Sequence, residues 1–210
     1  MARMIVSLDG RTAANGAPLL MHNERLADPL DPFSLEIAKI SKKRGKTEAD
    51  HLEIARLEFA GGMYHDEEVG PYIPGWHVIR CIQNAGKQHK LGASVLRGVT
   101  PVSMKAPVEY AGPRDIESMW KAGTFALRKS VGISSARTMR TRPVFEEWQL
   151  RVEIEIDLNV LDPEKIDQLA EEAGRYQGLG DYRPIYGRFA GSAALVKQPK
   201  AKLEAAGAVA

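Results

Sequence analysis

Cysteine is nearly absent: Cys81 stands alone in 210 residues, so no internal disulfide is available and a bridge-stapled secreted scaffold is excluded. That usage fits a reducing cytoplasm, the compartment expected here. Long apolar runs are missing too. No stretch approaches the roughly 20 residues that span a bilayer, so no membrane partner is expected. The opening MARMIVSLDG is read as a strand, its apolar run being too short for a signal peptide. There is no G-x-x-x-x-G-K-S/T phosphate loop and no serine elbow, so P-loop and α/β-hydrolase chemistry have no support. Metal ligands are equally thin. His77 and Cys81 sit one helical turn apart, but two ligands make no zinc site, and neither metal nor cofactor is expected.

Net charge is small as well: 29 basic against 27 acidic side chains leave +2. The distribution is uneven. Between Leu127 and Arg151 stand Arg128, Lys129, Arg137, Arg140, Arg142 and Arg151 against only Glu146 and Glu147, and Arg175, Arg183 and Arg188 follow. Acidic residues gather in 48–68 and 157–172 instead. Separation of this kind is expected where one face meets phosphates.

A hydrophobic content of 44% suffices for one ordinary core or two packed half-domains. Met4 to Leu8 has the apolar, β-branched character of a central strand. Pro18 to Pro32 has no clean period and is read as an irregular loop or extended projection. Ser34 is placed to cap a short helix through Ile40, and Thr47 with Asp50 forms a capping box for a second, closed by Gly61 and Gly62. After Pro74 and Gly75, the residues Val78, Ile79, Ile82, Ala85 and Gly86 recur at helical spacing. The stretches 94–110 and 130–142 read as edge or bent strands interrupted by Pro101 and Pro107. Asp115 to Trp120 adds a short helix. From Trp148 to Leu158 apolar and polar residues alternate strictly, as in an antiparallel strand with one wet face. Asp162 and Pro163 open a last helix whose stripe is Ile166, Leu169, Ala170, Ala173 and Tyr176. Residues 197–210 carry no core pattern and are read as a flexible tail.

Between Gly174 and Phe189 lie four glycines, three arginines, three tyrosines and one aspartate. Glycine permits positive φ and close approach, and unpaired amides in such a loop cradle anions. Arginine adds bidentate phosphate contacts, and tyrosine faces stack bases at about 1–3 kcal/mol each. Gly178, Gly180, Tyr182, Arg183, Tyr186 and Arg188 are therefore the first candidates for binding single-stranded nucleic acid. A second line is Arg137, Arg140 and Arg142, the last two sharing one face if the segment is a strand.

Two stretches, IPGWHVIRCIQNAGK at 73–87 and GLGDYRPIYGRF at 178–189, resemble the Pro-Gly helix opening and the C-terminal glycine-rich loop of the RAMP superfamily. These are RNA-recognition-motif-like proteins that include backbone and processing subunits of CRISPR effector complexes. The chain also looks like small proteins of tailed bacteriophages and prophages. The RAMP resemblance implies an α+β fold: a ferredoxin-like antiparallel sheet with helices on one face and a helical or loop projection inserted at about 18–70, in a single domain over 1–196. It further implies backbone-dominated binding of single-stranded RNA or DNA, RNA slightly favoured, with homo-oligomeric or filamentous assembly along the strand.

The expected protein is non-enzymatic. Its rival is an endoribonuclease of the same fold, with His22 on the projection as candidate general base and His77 next. A further rival is a structural or partner-binding phage protein whose basic face meets an acidic surface.

Overall fold

The computed structural model describes residues 1–11, 16–133 and 136–196. In chain order the strands are β1 (Ala2–Asp9), β2 (Leu19–Leu20), β3 (His65–Asp66), β4 (Gly70–Pro74), β5 (Val99–Pro101), β6 (Lys105–Glu109), β7 (Ala126–Ile133), β8 (Ala136–Phe145), β9 (Gln149–Ile156) and β10 (Ala190–Leu195). The α-helices are α1 (Pro32–Ser41), α2 (Glu48–Gly62), α3 (Gly75–Gly86), α4 (Gly92–Gly98), α5 (Ile116–Ala122) and α6 (Pro163–Glu172).

The main sheet runs β10-β1-β9-β6-β4-β3, and β5 pairs the same edge of β9 as β6 does. Strand, α3, strand, strand, α6, strand, with the last strand beside the first, is a ferredoxin-like α+β arrangement, the one the RAMP resemblance implied. The paired strands described are all antiparallel. Alternation along β9 becomes a dry face: Leu150, Val152, Ile154 and Ile156 are buried, matched across β1 by Leu8, Val6, Met4 and Ala2. Helices α3 and α6 cover that face with Val78, Ile82, Ile166 and Leu169. Fully burying side chains of this size contributes about 1.5–3 kcal/mol each, and this layer is the core. Trp148 enters it just before β9, wholly buried, its indole N–H donating to the Ala17 carbonyl at 3.1 Å.

A smaller antiparallel sheet, β2-β8-β7, accompanies the main one, with α2 against β8 and α1 packed on α2. The stretch 18–32, expected as an irregular loop or extended projection, opens on a buried strand of this sheet. Leu19, Leu20 and Met21 are buried, and β2 pairs Phe145 and Val144 of β8, because two leucines and a methionine in sequence gain more from a core than from solvent. The cap of α1 is Asp31, whose carboxylate accepts from the Phe33 amide at 2.9 Å, and Ser34 lies inside the helix. The Thr47–Asp50 capping box of α2 is present in full.

Three further expectations are corrected. Residues 94–98 belong to helix α4, since Val95 buries on one side while Leu96 faces out, and the strand starts only at Val99. The stretch 130–142 is not one strand but parts of two, β7 and β8, paired as a hairpin. Tyr176 leaves the buried stripe of the last helix. A wide turn at Ala173–Gln177, closed by the Gly178 amide on the Ala173 carbonyl at 2.9 Å, adds a residue to the helical period and swings Tyr176 out to 54% exposure. The tail expected at 197–210 lies outside the described residues.

Candidate functional site

The glycine-rich segment 178–189 is held by backbone bonds to β2, to the residue before it and within itself. Asp181 N–H donates to the Leu20 carbonyl at 2.9 Å, Gly187 N–H to Pro18 at 2.8 Å, and Leu179 N–H to Gly187 at 2.8 Å. At its base the buried Cys81 thiol donates to the Gly178 carbonyl at 3.1 Å. Burial pushes that thiol up to about 12, so it stays protonated and structural. Glycine is required at two positions in particular. Gly180 has φ +83° and Gly187 φ +73°, and a Cβ at either would run into a carbonyl oxygen, of Leu20 and Leu179 respectively.

This knitting overturns one expectation. The amides of Gly178, Leu179, Asp181, Tyr182, Tyr186, Gly187 and Phe189 all donate within the protein. No two successive amides of 178–189 are therefore left without a partner, so the run of adjacent free N–H groups that makes an anion nest is missing. Positive charge must come from side chains.

Those side chains divide sharply. Arg183 is exposed and makes no ion pair among the described residues. Arg188 turns back and donates from Nε to the Pro184 carbonyl at 2.9 Å, bracing the loop. Tyr182 and Tyr186 meet edge to face at 6.3 Å between centroids, and the Lys129 ammonium of β7 lies 4.8 and 4.7 Å from the two rings. One side of each ring thus already holds a cation. On β8, Arg140 pairs with the buried Glu58 of α2 at 2.6 Å, and Arg142, itself buried, pairs with Asp181 at 3.0 Å. Arg137 remains exposed.

The loop overhangs a cleft of about 510 Å³ whose opposite wall is α3. Trp76 and His77, then Arg80, Asn84 and the C-cap Lys87 at steps of three to four residues, line it from the helix side opposite the buried stripe. Trp76 is 39% exposed. Asp181 and Arg183 form the loop side, and His22, one residue past the buried Met21, closes an end. A shallower depression of about 380 Å³ adjoins it, lined by Tyr176, Tyr182 and Pro184 and sharing Asn84, Gly180, Asp181 and Arg183 with the cleft.

Burial lowers the basicity of both candidate histidines. His77 is driven down to about 4, first by burial and then by the charge of Arg183. His22 is lowered by burial and then by Arg142, against the opposing pull of Asp181, whose Oδ2 stands 3.7 Å from Nδ1. The other histidines lie elsewhere: His65 meets the Arg114 carbonyl at 2.8 Å, His89 pairs with Glu172 at 2.6 Å, and His51 lies exposed on α2. No group of three potential metal ligands occurs among the described residues, and no helix is long and apolar enough to cross a membrane.

No protein-family model matches the chain, and no curated protein does. Among solved structures, one described as a cryo-EM structure of the Type III-B Cmr-beta bound to cognate target RNA is similar in outline. The match covers 93% of this chain and 61% of that one, at 12% identity and a TM-score of 0.46. This chain spans about three fifths of that neighbour's length.

The open face of the main sheet, where RNA-recognition folds stack bases on aromatic rings, offers none on its two central strands. Its outward residues are Arg3, Ile5, Ser7 and Asp9 on β1 and Gln149, Arg151, Glu153 and Glu155 on β9, with Arg3 bound to both glutamates at 3.2 Å. The sequence candidates Gly180, Tyr182 and Arg183 do converge, but on the cleft and its neighbour. Trp76, Arg80, Asn84 and Lys87 join them unforeseen. Their signal was the polar stripe of α3, readable once the buried stripe is phased.

Proposed function

We propose that the protein binds single-stranded nucleic acid, RNA ahead of DNA, along the cleft between α3 and the glycine-rich loop. The observation that carries this reading is the position of Arg183. It is an exposed, unpaired guanidinium on the shared rim of two adjoining depressions, one walled by Trp76 with Arg80 and Lys87, the other by Tyr176 and Tyr182. A phosphate at the rim places its two flanking nucleotides over aromatic surface on either side, the combination of cations and stacking faces that single strands need. Arg140 and Arg142 act from behind, holding β8 to α2 and to the loop. Head-to-tail assembly along the strand belongs to the same proposal.

Anisotropy of labelled single-stranded RNA, duplex RNA and single-stranded DNA tests it. Single strands should bind at low salt with RNA ahead, and duplex should bind far more weakly. Failure of every single strand to bind at low salt defeats the reading. Purification without nuclease, followed by imaging, tests assembly: regular rods carrying nucleic acid are expected.

A second reading, RNA cleavage, rests on His22 and His77 lining the same cleft. Their lowered basicity makes both weak general bases, which is why binding leads. Discrete RNA products that vanish in His22→Ala would reverse the order.

A further inference from the structure

A third cavity, of about 390 Å³, lies between α1 and the β7–β8 hairpin. Its walls are Leu26, Ile37 and Ala38 on one side and Val131 on the other, with Arg140 and Glu58 at its floor. His22 lines this groove and the cleft alike. Between them stands an ion-paired partition: Asp181 faces the cleft, Arg142 faces the groove, and the two are bound at 3.0 Å. The groove thus adjoins the candidate strand path at His22, which lines both.

Its chemistry differs from the cleft's. The cations within it are already neutralised, Arg140 by Glu58 at 2.6 Å and Arg142 by Asp181. No free cation among the described lining residues waits for a phosphate. What remains is a slot of mainly apolar surface with the His22 imidazole among its lining residues, suited to a planar base whose phosphate stays outside.

We infer that this groove is a base subsite, taking the unstacked base of a nucleotide next along the strand that occupies the cleft. The inference rests on the nucleic-acid reading and adds to it a direction: the strand passes Tyr176 and Tyr182, then Arg183, then His22, and enters between α1 and the hairpin. His22 is the turning point, where its ring stacks or donates to the base edge.

Ala38 is exposed on α1, so Ala38→Trp fills the groove without entering the core. Fluorescein-labelled oligouridylates of increasing length, from dinucleotide to dodecanucleotide, are titrated by anisotropy against wild type, Ala38→Trp and Arg183→Ala. Wild type should gain affinity with length. In Ala38→Trp the shortest probe should bind as in wild type, the long-probe affinity should fall at least fivefold, and the salt slope should stay put because no phosphate contact is lost. In Arg183→Ala every length should weaken. The inference is overturned if Ala38→Trp binds all lengths as wild type does, or weakens the shortest probe as much as the longest. It is overturned as well if light scattering shows a dimer that Ala38→Trp dissociates, for then a second copy fills the groove. Wild-type protein that binds no probe at any length instead defeats the underlying nucleic-acid reading.

Discussion

The glycine-rich loop at 178–189 and the arginine-rich strand β8 carry similar sequence signals, clustered guanidinium groups beside β-branched or small residues, yet they end in opposite states. On β8, Arg140 and Arg142 are consumed by Glu58 and Asp181, residues 82 and 39 positions away. In the loop, Arg183 finds no acidic partner among the described residues and stands at the rim of a cleft. The difference teaches that a cation's availability is decided by which acid the fold brings to it. Arg142 ties β8 to the loop and Arg140 ties it to α2, while Arg183 is left unpaired at the cleft rim.

The sharpest way to break this contrast is to remove the acid that binds strand to loop. Asp181→Ala leaves Arg142 charged, with a side chain only 10% exposed, and should cost about 3–5 kcal/mol of stability. Urea unfolding reads this, and adding Arg142→Leu should recover most of the loss. A cost under about 1 kcal/mol would mean the pair is not the tie described. Next in size is Gly180→Ala, which combines a positive φ with a collision at the Leu20 carbonyl. It should cost about 1–3 kcal/mol and weaken RNA binding by distorting the rim.

Acid sharpens the comparison from another side. His77 has its folded value at about 4, below the ordinary 6.5, so between those pH values the unfolded chain binds a proton that the folded one refuses. Stability should therefore fall as pH drops from 6.5 toward 4 and this contribution should level off below. Solvent screening of a part-exposed ring leaves about 1–2 kcal/mol. His77→Gln should flatten that part of the profile, and an unchanged profile would place the ring in water. Smallest is the effect of Arg183→Ala on stability, expected within about 0.5 kcal/mol because the side chain is exposed and unpaired.

Much of the fold could be read in advance where periodicity and caps agreed. The alternation of 148–158, the Thr47–Asp50 box and the Pro74–Gly75 helix opening all specify their elements locally. Reading failed where partners are distant. Leu19 and Leu20 have no period of their own and become a strand only against Val144 and Phe145. Arg142 looks like a surface cation until the chain brings Asp181 to it. Trp76, Arg80 and Asn84 needed the phase of α3 before their shared face was visible. The loop's glycines take the positive φ expected of them, but the amides of Gly178 and Gly187 are spent within the protein.

The central claim is that exposed cations of α3 and the loop meet phosphates. It is tested most directly by the salt dependence of single-stranded RNA binding in wild type and in Arg80→Ala/Arg183→Ala. Each lost phosphate contact removes about 0.7 from the slope of log K against log salt on a single strand. The double variant should therefore show a slope shallower by about 1.4, with the fold intact. An unchanged slope together with unchanged affinity in a folded double variant contradicts the account.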